Sequence, residues 1–248
     1  MALTLATITP GDPEIFASIQ GEGPSCGAEV AFIRLSRCNL ACVWCDTAYT
    51  WHWEGDAKKF RRPHRSGETF ARAANQVKLD EAEAARLVAA TGRKRLVITG
   101  GEPLLQGAAL ARMLQHLPDV EVEIETNGTT TAPPALDVRV TQYNVSPKLA
   151  HSGNAPELAL LPERLRAYAV DPRAFFKFVV AQPDDVAEVL ALSDLYALPK
   201  ERTYLMPEGT DSAALSARMD WIEPLAAEYG LQVTDRAHIH LFGDTRGT

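Results

Sequence analysis

The run Val30-Ala31-Phe32-Ile33-Arg34-Leu35 leads straight into Ser36-Arg37-Cys38-Asn39-Leu40-Ala41-Cys42-Val43-Trp44-Cys45. Its first part is short and apolar, the composition of a buried strand. Its second part spaces three cysteines as C-x3-C-x2-C. Three thiolates can hold three corners of an iron–sulfur cube and leave the fourth iron without a protein ligand. An open iron can bind a small molecule and react with it, so the stretch points to a redox enzyme. Zinc also takes thiolates, but a structural zinc normally needs a fourth protein ligand. His64 or Cys26 could supply one, although neither stands in a second tight pair. Cys26, in Pro24-Ser25-Cys26-Gly27, reads otherwise as a bystander thiol.

Outward from this stretch, apolar strand-like runs alternate with helical ones. Strands are expected over residues 30–35, 95–99, 120–125, 138–145, 175–180 and 203–206, and helices over 81–90, 106–116, 157–169, 184–195 and 212–229. Asp80 can cap the first helix, Pro183 suits the opening of the fourth, and Gly230 is a natural stop for the last. This alternation predicts an α/β protein with a mostly parallel sheet covered by helices on its faces. Residues 1–248 read as one domain. One segment breaks the rhythm: residues 48–78 hold Tyr49, Trp51, Trp53, the basic run Lys58-Lys59-Phe60-Arg61-Arg62 and Arg65. It reads as a long excursion over one face, either a solvated loop or, since it follows the cysteines, in part a cover for a cluster.

The unusual polar motifs each follow a candidate strand. Arg37-Cys38-Asn39 follows the first, Gly100-Gly101-Glu102-Pro103 the second, Glu125-Thr126-Asn127-Gly128 the third and Ser146-Pro147-Lys148 the fourth. Gln182 follows the fifth and Met206-Pro207-Glu208-Gly209 the sixth. In barrels and open parallel sheets ligands bind at the carboxyl ends of the strands, so these loops are expected to share one mouth. Gly100 and Gly101 let backbone approach a ligand closely, and Glu102 could hold an ammonium. Glu125 and Asn127 could bind ribose hydroxyls or an amine, and Lys148 a carboxylate. Taken alone, each also fits an ordinary turn or a surface position. Trp44 offers a flat face to a base or to the cluster.

Composition narrows the classes further. The 248 residues are 46% hydrophobic and 23% charged, with a formal net charge of −7. That balance gives no warrant for wrapping a nucleic-acid backbone. No basic segment leads into an apolar run at the start, and no stretch reaches eighteen apolar residues, so neither a signal peptide nor a membrane span is expected. Three of the four cysteines crowd into eight residues, which favours metal binding in a reducing, cytoplasmic compartment over disulfides.

Cys38-x3-Cys42-x2-Cys45 with Trp44, together with Gly100-Gly101-Glu102-Pro103, resembles the radical S-adenosylmethionine superfamily. Phe16-Ala17-Ser18-Ile19-Gln20-Gly21-Glu22-Gly23 and Cys45-Asp46-Thr47 narrow the resemblance to the 7-carboxy-7-deazaguanine synthase family. It implies a modified, incomplete (β/α)6 TIM-like barrel, a homodimer, a 4Fe–4S cluster, S-adenosyl-L-methionine and Mg²⁺. It also implies a lyase that contracts 6-carboxy-5,6,7,8-tetrahydropterin to 7-carboxy-7-deazaguanine with loss of ammonia, on the route to queuosine. An external one-electron reductant such as flavodoxin would feed it, with no direct nucleic-acid or membrane partner. By the same resemblance Cys38, Cys42 and Cys45 ligate the cluster. Trp44, Gly101, Glu102, Glu125, Asn127, Ser146, Lys148, Gln182, Met206 and Glu208 surround the cofactor. Ile19, Gln20, Gly21, Glu22, Arg34 and His240, with His238 as the alternative histidine, meet the substrate. Glu22 doubles as a catalytic group, and Thr47 takes the Mg²⁺. A glycyl-radical activating enzyme of the same superfamily would use the 48–78 excursion to dock a protein partner, and a zinc-bearing interaction module would need no cofactor pocket.

Overall fold

The computed structural model describes residues 2–55 and 64–248; the basic run at 58–62 lies outside the described residues. Among the described residues ten strands form a single sheet. They are β1 (Ala2–Ala6), β2 (Ile15–Ile19), β3 (Glu29–Leu35), β4 (Gln76–Asp80), β5 (Arg95–Gly100), β6 (Glu121–Thr126), β7 (Val140–Val145), β8 (Ala174–Val180), β9 (Thr203–Pro207) and β10 (Gln232–Val233). Their order is β10-β9-β8-β7-β6-β5-β3-β1-β4, with β2 also paired to β3. From β3 to β10 every pairing along the order is parallel. On the other side, β1 and β2 pair antiparallel to β3, and β4 pairs antiparallel to β1. The sheet does not close on itself, so the fold is an incomplete TIM-like barrel.

The six expected strands all form, each within two residues of its expected ends. The central ones are buried on both faces, as in Leu96, Val97 and Ile98 of β5 and Phe178, Val179 and Val180 of β8. Parallel strands need helices on their faces, and both faces are therefore apolar. The strands that the pattern does not announce lie on the antiparallel side or are very short. β1, β2 and β4 have five residues each and β10 has two. Such segments become strands because a neighbour offers a hydrogen-bonding edge, not through intrinsic preference. β4 is also the far end of the 48–78 excursion, whose last residues thus belong to the sheet.

Helices form at Glu81–Ala90 and Ser212–Tyr229, and Asp80 caps the first by accepting from Ala82 N–H at 2.9 Å. The expected helix over 157–169 is two helices, Pro156–Ala159 and Pro162–Val170. Pro162 lacks the N–H to continue the first and drives Leu161 into the extended region, φ −87° and ψ 107°. The stretch at 106–116 likewise opens with a 3₁₀ turn, Pro103–Gln106, before the α-helix Gly107–Leu114. Among the described residues no helix is long and apolar enough to cross a membrane.

Candidate active site

The loop after β3 carries the cysteines, and its entry is set by backbone crowding. Arg37 takes a left-handed conformation, φ 83°, and donates its N–H to Thr50 O at 2.7 Å. A Cβ on Gly100 would sit 2.1 Å from Leu35 O, and one on Gly101 2.1 Å from Arg37 O. Only glycine lets the end of β5 lie this close to the cysteine loop. Gly101 N–H then donates to Leu35 O at 3.1 Å and Glu102 N–H to Arg37 O at 2.8 Å.

Each cysteine sulfur has an N–H beside it. Leu40 N–H donates to Cys38 Sγ at 3.4 Å, the Asn154 side-chain amide to Cys42 Sγ at 3.2 Å, and the Trp51 indole to Cys45 Sγ at 3.3 Å. Burial pushes the Cys38 thiol up to about 12 and the Cys45 thiol up to about 11, and it raises Cys42 as well. An uncharged buried thiol is the expected state until a metal displaces its proton. The far part of the excursion packs on this loop. His64 Nε2 lies 2.8 Å from Cys45 O, Arg65 N–H donates to Val43 O at 2.6 Å, and Tyr49, Trp51 and Trp53 are buried. Residues 48–53 are buried beside the cysteine loop, whereas residues 65–69 are exposed.

The strand ends share one cavity, with about 1470 Å³ of empty space partly open to solvent. Cys38, Cys42, Cys45, Trp44 and Thr47 line it from the cysteine loop, Ile19 and Arg34 from β2 and β3, and Gln20, Gly21 and Glu22 from the loop after β2. Gly101, Glu125, Asn127, Ser146, Lys148 and Met206 complete the wall from the later strands. Trp44 stacks against His151, ring centroids 5.5 Å apart, with Lys148 Nζ 5.8 Å from the Trp44 ring. Trp44 Nε1 is buried with no hydrogen-bond partner among the described residues. A buried donor without an acceptor on this wall fits a ligand that has yet to supply one.

Four of the named residues stand elsewhere. Glu102 is fully buried and turned away from the cavity. Its carboxylate accepts from Leu104 N–H at 3.0 Å, Asn127 N–H at 2.7 Å and the Thr126 hydroxyl at 3.0 Å. It therefore clamps the loop after β5 to the loop after β6. Burial raises its carboxyl to about 7, against those donors. Gln182 is exposed at the start of helix Asp184–Tyr196, where its N–H meets Asp185 at 3.2 Å. Glu208 lines an adjoining cavity and binds Arg65 at 3.1 Å and Arg218 at 3.2 Å. His240 is exposed, its ring 2.7 Å from Ser212 Oγ and 3.0 Å from Asp235, whereas His238 lines the main cavity.

Several charged residues that the motifs do not announce complete the wall. Lys177 from β8 and Arg236 from the last segment are both almost fully buried and both grip Glu22. Lys177 pairs with Glu22 Oε2 and stands 3.4 Å from Glu125, while Arg236 Nε donates to Glu22 Oε1 at 3.0 Å and its other end meets the partly exposed Asp46. Burial alone would raise the Glu22 carboxyl, but Lys177, Arg236 and His238 outweigh it and hold it well below the usual range. Beside it, Gln20 bridges Glu123 at 2.8 Å and Glu125 at 3.2 Å. Arg34 Nε donates to the buried Glu14 at 2.6 Å, which Tyr49 also binds at 3.0 Å. Lys177 had a signal, a lone cation inside the apolar run Phe175-Phe176-Lys177-Phe178-Val179. Arg236 had none.

A model of the radical SAM superfamily matches residues 32–148, the span from β3 to Lys148. A 7-carboxy-7-deazaguanine synthase of Pyrobaculum aerophilum is 35% identical over 238 residues, 94% of this chain and 95% of that protein. One of Rhodopirellula baltica is 32% identical, covering 97% of this chain and 93% of that protein. The chain belongs to the 7-carboxy-7-deazaguanine synthase family. It is a radical SAM enzyme. The crystal structure of QueE from Escherichia coli superposes on it with a TM-score of 0.62 at 23% identity, covering 96% of this chain and 95% of that one, which supports the fold. Among the described residues no three His, Cys, Asp or Glu side chains converge on a point that would hold one metal ion. A four-iron cube makes a different demand, because each thiolate binds its own iron. Three cysteines on one loop, facing a cavity with an N–H toward each sulfur, suit that demand.

Proposed function

We propose that this enzyme contracts 6-carboxy-5,6,7,8-tetrahydropterin to 7-carboxy-7-deazaguanine with release of ammonia, in the route to queuosine. The observation that carries the reading is that the three-cysteine loop opens on the same cavity as the doubly gripped Glu22 carboxylate. One part of the cavity can then take a redox cluster and its sulfonium ligand, and another a planar, nitrogen-rich ring.

When bound, a 4Fe–4S cluster with S-adenosyl-L-methionine on its open iron supplies a 5′-deoxyadenosyl radical able to remove hydrogen from carbon 6 of the pterin. Cys38, Cys42 and Cys45 would hold the cluster. Gly101, Ser146 and Lys148 suit the methionyl end, and Glu125, Asn127 and Met206 the nucleoside. Glu102 serves through Thr126 and Asn127, which it fixes. Glu208 and Gln182 stand outside the main cavity and would act on its surroundings. Glu22 accepts from ring N–H donors, because each of its oxygens keeps a lone pair beyond the one given to Lys177 or Arg236. Its forced ionisation makes it an acceptor only, which selects a donor edge. Ile19, Gln20 and Gly21, which line the cavity, would meet the ring, and Arg34 and His238 its polar groups, with His240 at a distance. Mg²⁺ on Thr47, completed by waters and substrate oxygens, would orient the carboxylate. The excluded water and fixed angles of such a cavity are the protein's share of the rate. A homodimer and an external one-electron donor such as flavodoxin complete the proposal, with no nucleic acid or membrane involved.

Anaerobic reconstitution, strong reduction and mass spectrometry of products test it. The expected products are 5′-deoxyadenosine and 7-carboxy-7-deazaguanine, and Cys38→Ala, Cys42→Ala or Cys45→Ala should abolish both. Intact cofactor and pterin in the reduced wild type would overturn the assignment.

A further inference from the structure

We infer that Asn154 and Trp51 are hydrogen-bond donors that set the reduction potential of the cluster, through Cys42 and Cys45. The inference rests on the cluster reading above and goes beyond it, since neither residue belongs to the cysteine motif. Asn154 follows the short 3₁₀ turn Ala150–Ser152 beyond β7, 112 residues from Cys42 in sequence. Its amide orientation is fixed from both sides. Oδ1 accepts from Ala41 N–H at 2.9 Å, so the NH₂ must be the end that lies 3.2 Å from Cys42 Sγ. The same NH₂ is 3.2 Å from Ser152 Oγ, and Ser152 O accepts from Val43 N–H at 3.0 Å. The turn thus braces the cysteine loop at two points and presents one donor to sulfur. Trp51 is simpler, because an indole nitrogen can only donate, and it donates to Cys45 Sγ at 3.3 Å.

The chemistry follows from charge. Reduction adds one electron to a thiolate-ligated cluster, and an N–H dipole aimed at a ligand sulfur stabilises the more negative form. Two such donors on two different thiolates raise the potential together. They ease electron entry from the external donor before S-adenosyl-L-methionine is cleaved.

The test uses the anaerobically reconstituted, full-length protein without substrate. Iron and sulfide are assayed, and EPR follows a potentiometric titration of the wild type, Asn154→Leu, Asn154→Asp and Trp51→Phe. The expected result is a full cluster whose midpoint moves to more negative potential in each variant, farthest in Asn154→Asp, which puts an oxygen where the donor was. A tenfold fall in the reduction equilibrium corresponds to about 59 mV for this one-electron couple. The shifts of Asn154→Leu and Trp51→Phe should add in the double variant, because they act on separate sulfurs. Unchanged midpoints with full clusters would overturn the inference and leave the two side chains as braces. Loss of the cluster in every variant would also overturn it, by showing an assembly role. A wild type that holds no four-iron cube is a separate failure, that of the cluster reading itself.

Discussion

Glu102 belongs to a glycine-rich motif next to the cavity, yet its carboxylate is closed off by Leu104, Thr126 and Asn127. Gln at this position would set an NH₂ against a backbone N–H, so Glu102→Gln should cost about 1–3 kcal/mol at pH 8. The native carboxyl titrates near 7 and the unfolded one near 4.5. The native state therefore binds more protons in that window, and its contribution to stability is present below 4.5 and lost as pH rises through 7. Urea unfolding of both proteins from pH 4.5 to 8 should show that slope shrinking in the variant. Glu22 presents the opposite case. Lys177 and Arg236 hold it ionised, so Lys177→Met leaves a buried charge half paired and should destabilise the fold by about 3 kcal/mol or more. Adding Glu22→Gln should recover part of the loss, and a double-mutant cycle with no coupling would contradict the pairing. Thr47→Ala, in turn, should shift the Mg²⁺ dependence of turnover while S-adenosyl-L-methionine binding stays near normal.

Elements meet at the cavity through small residues and caps. The segment Ala237–Phe242 is placed by Gly21, whose carbonyl accepts from Ala237 N–H at 2.9 Å. A Cβ on Gly21 would lie 2.2 Å from His238 Nδ1 and 2.8 Å from His238 N. Gly21→Ala should therefore lift this helix and move His238 off the wall, with amide exchange at Ala237 faster by roughly tenfold or more. Helix Ser212–Tyr229 is held at its start by Asp211, which accepts from Ala214 N–H at 2.9 Å. Asp211→Ala should cost about 1 kcal/mol in urea unfolding and leave the cavity unaltered.

Across the whole molecule, the proposed cluster would couple chemistry to folding. Burial keeps the cysteine thiols protonated, so assembly must expel their protons. Reconstitution in weak buffer should release about three protons per cluster, and cluster retention should weaken as pH falls. Chelation of the iron should lower the unfolding midpoint if, as proposed, the cluster binds only the folded chain. A midpoint unmoved by chelation would separate the cluster from the packing of the cysteine loop and its cover.

The cysteine spacing, the six parallel strands and the motifs at their ends are legible in the sequence because each depends on neighbours a few residues away. Strand pattern and ligand spacing are local, and the carboxyl-end rule then gathers the loops at one mouth. Only the tertiary structure decides what crosses the cavity. Glu22 meets Lys177 and Arg236 across 155 and 214 residues of sequence. His238 rather than His240 faces inward, and Glu102 turns into the protein. Those outcomes depend on which distant segment arrives at each strand end, and on the need of every buried charge for a partner once water is gone. A single sequence holds the residues for that pairing but carries no local signal of who meets whom.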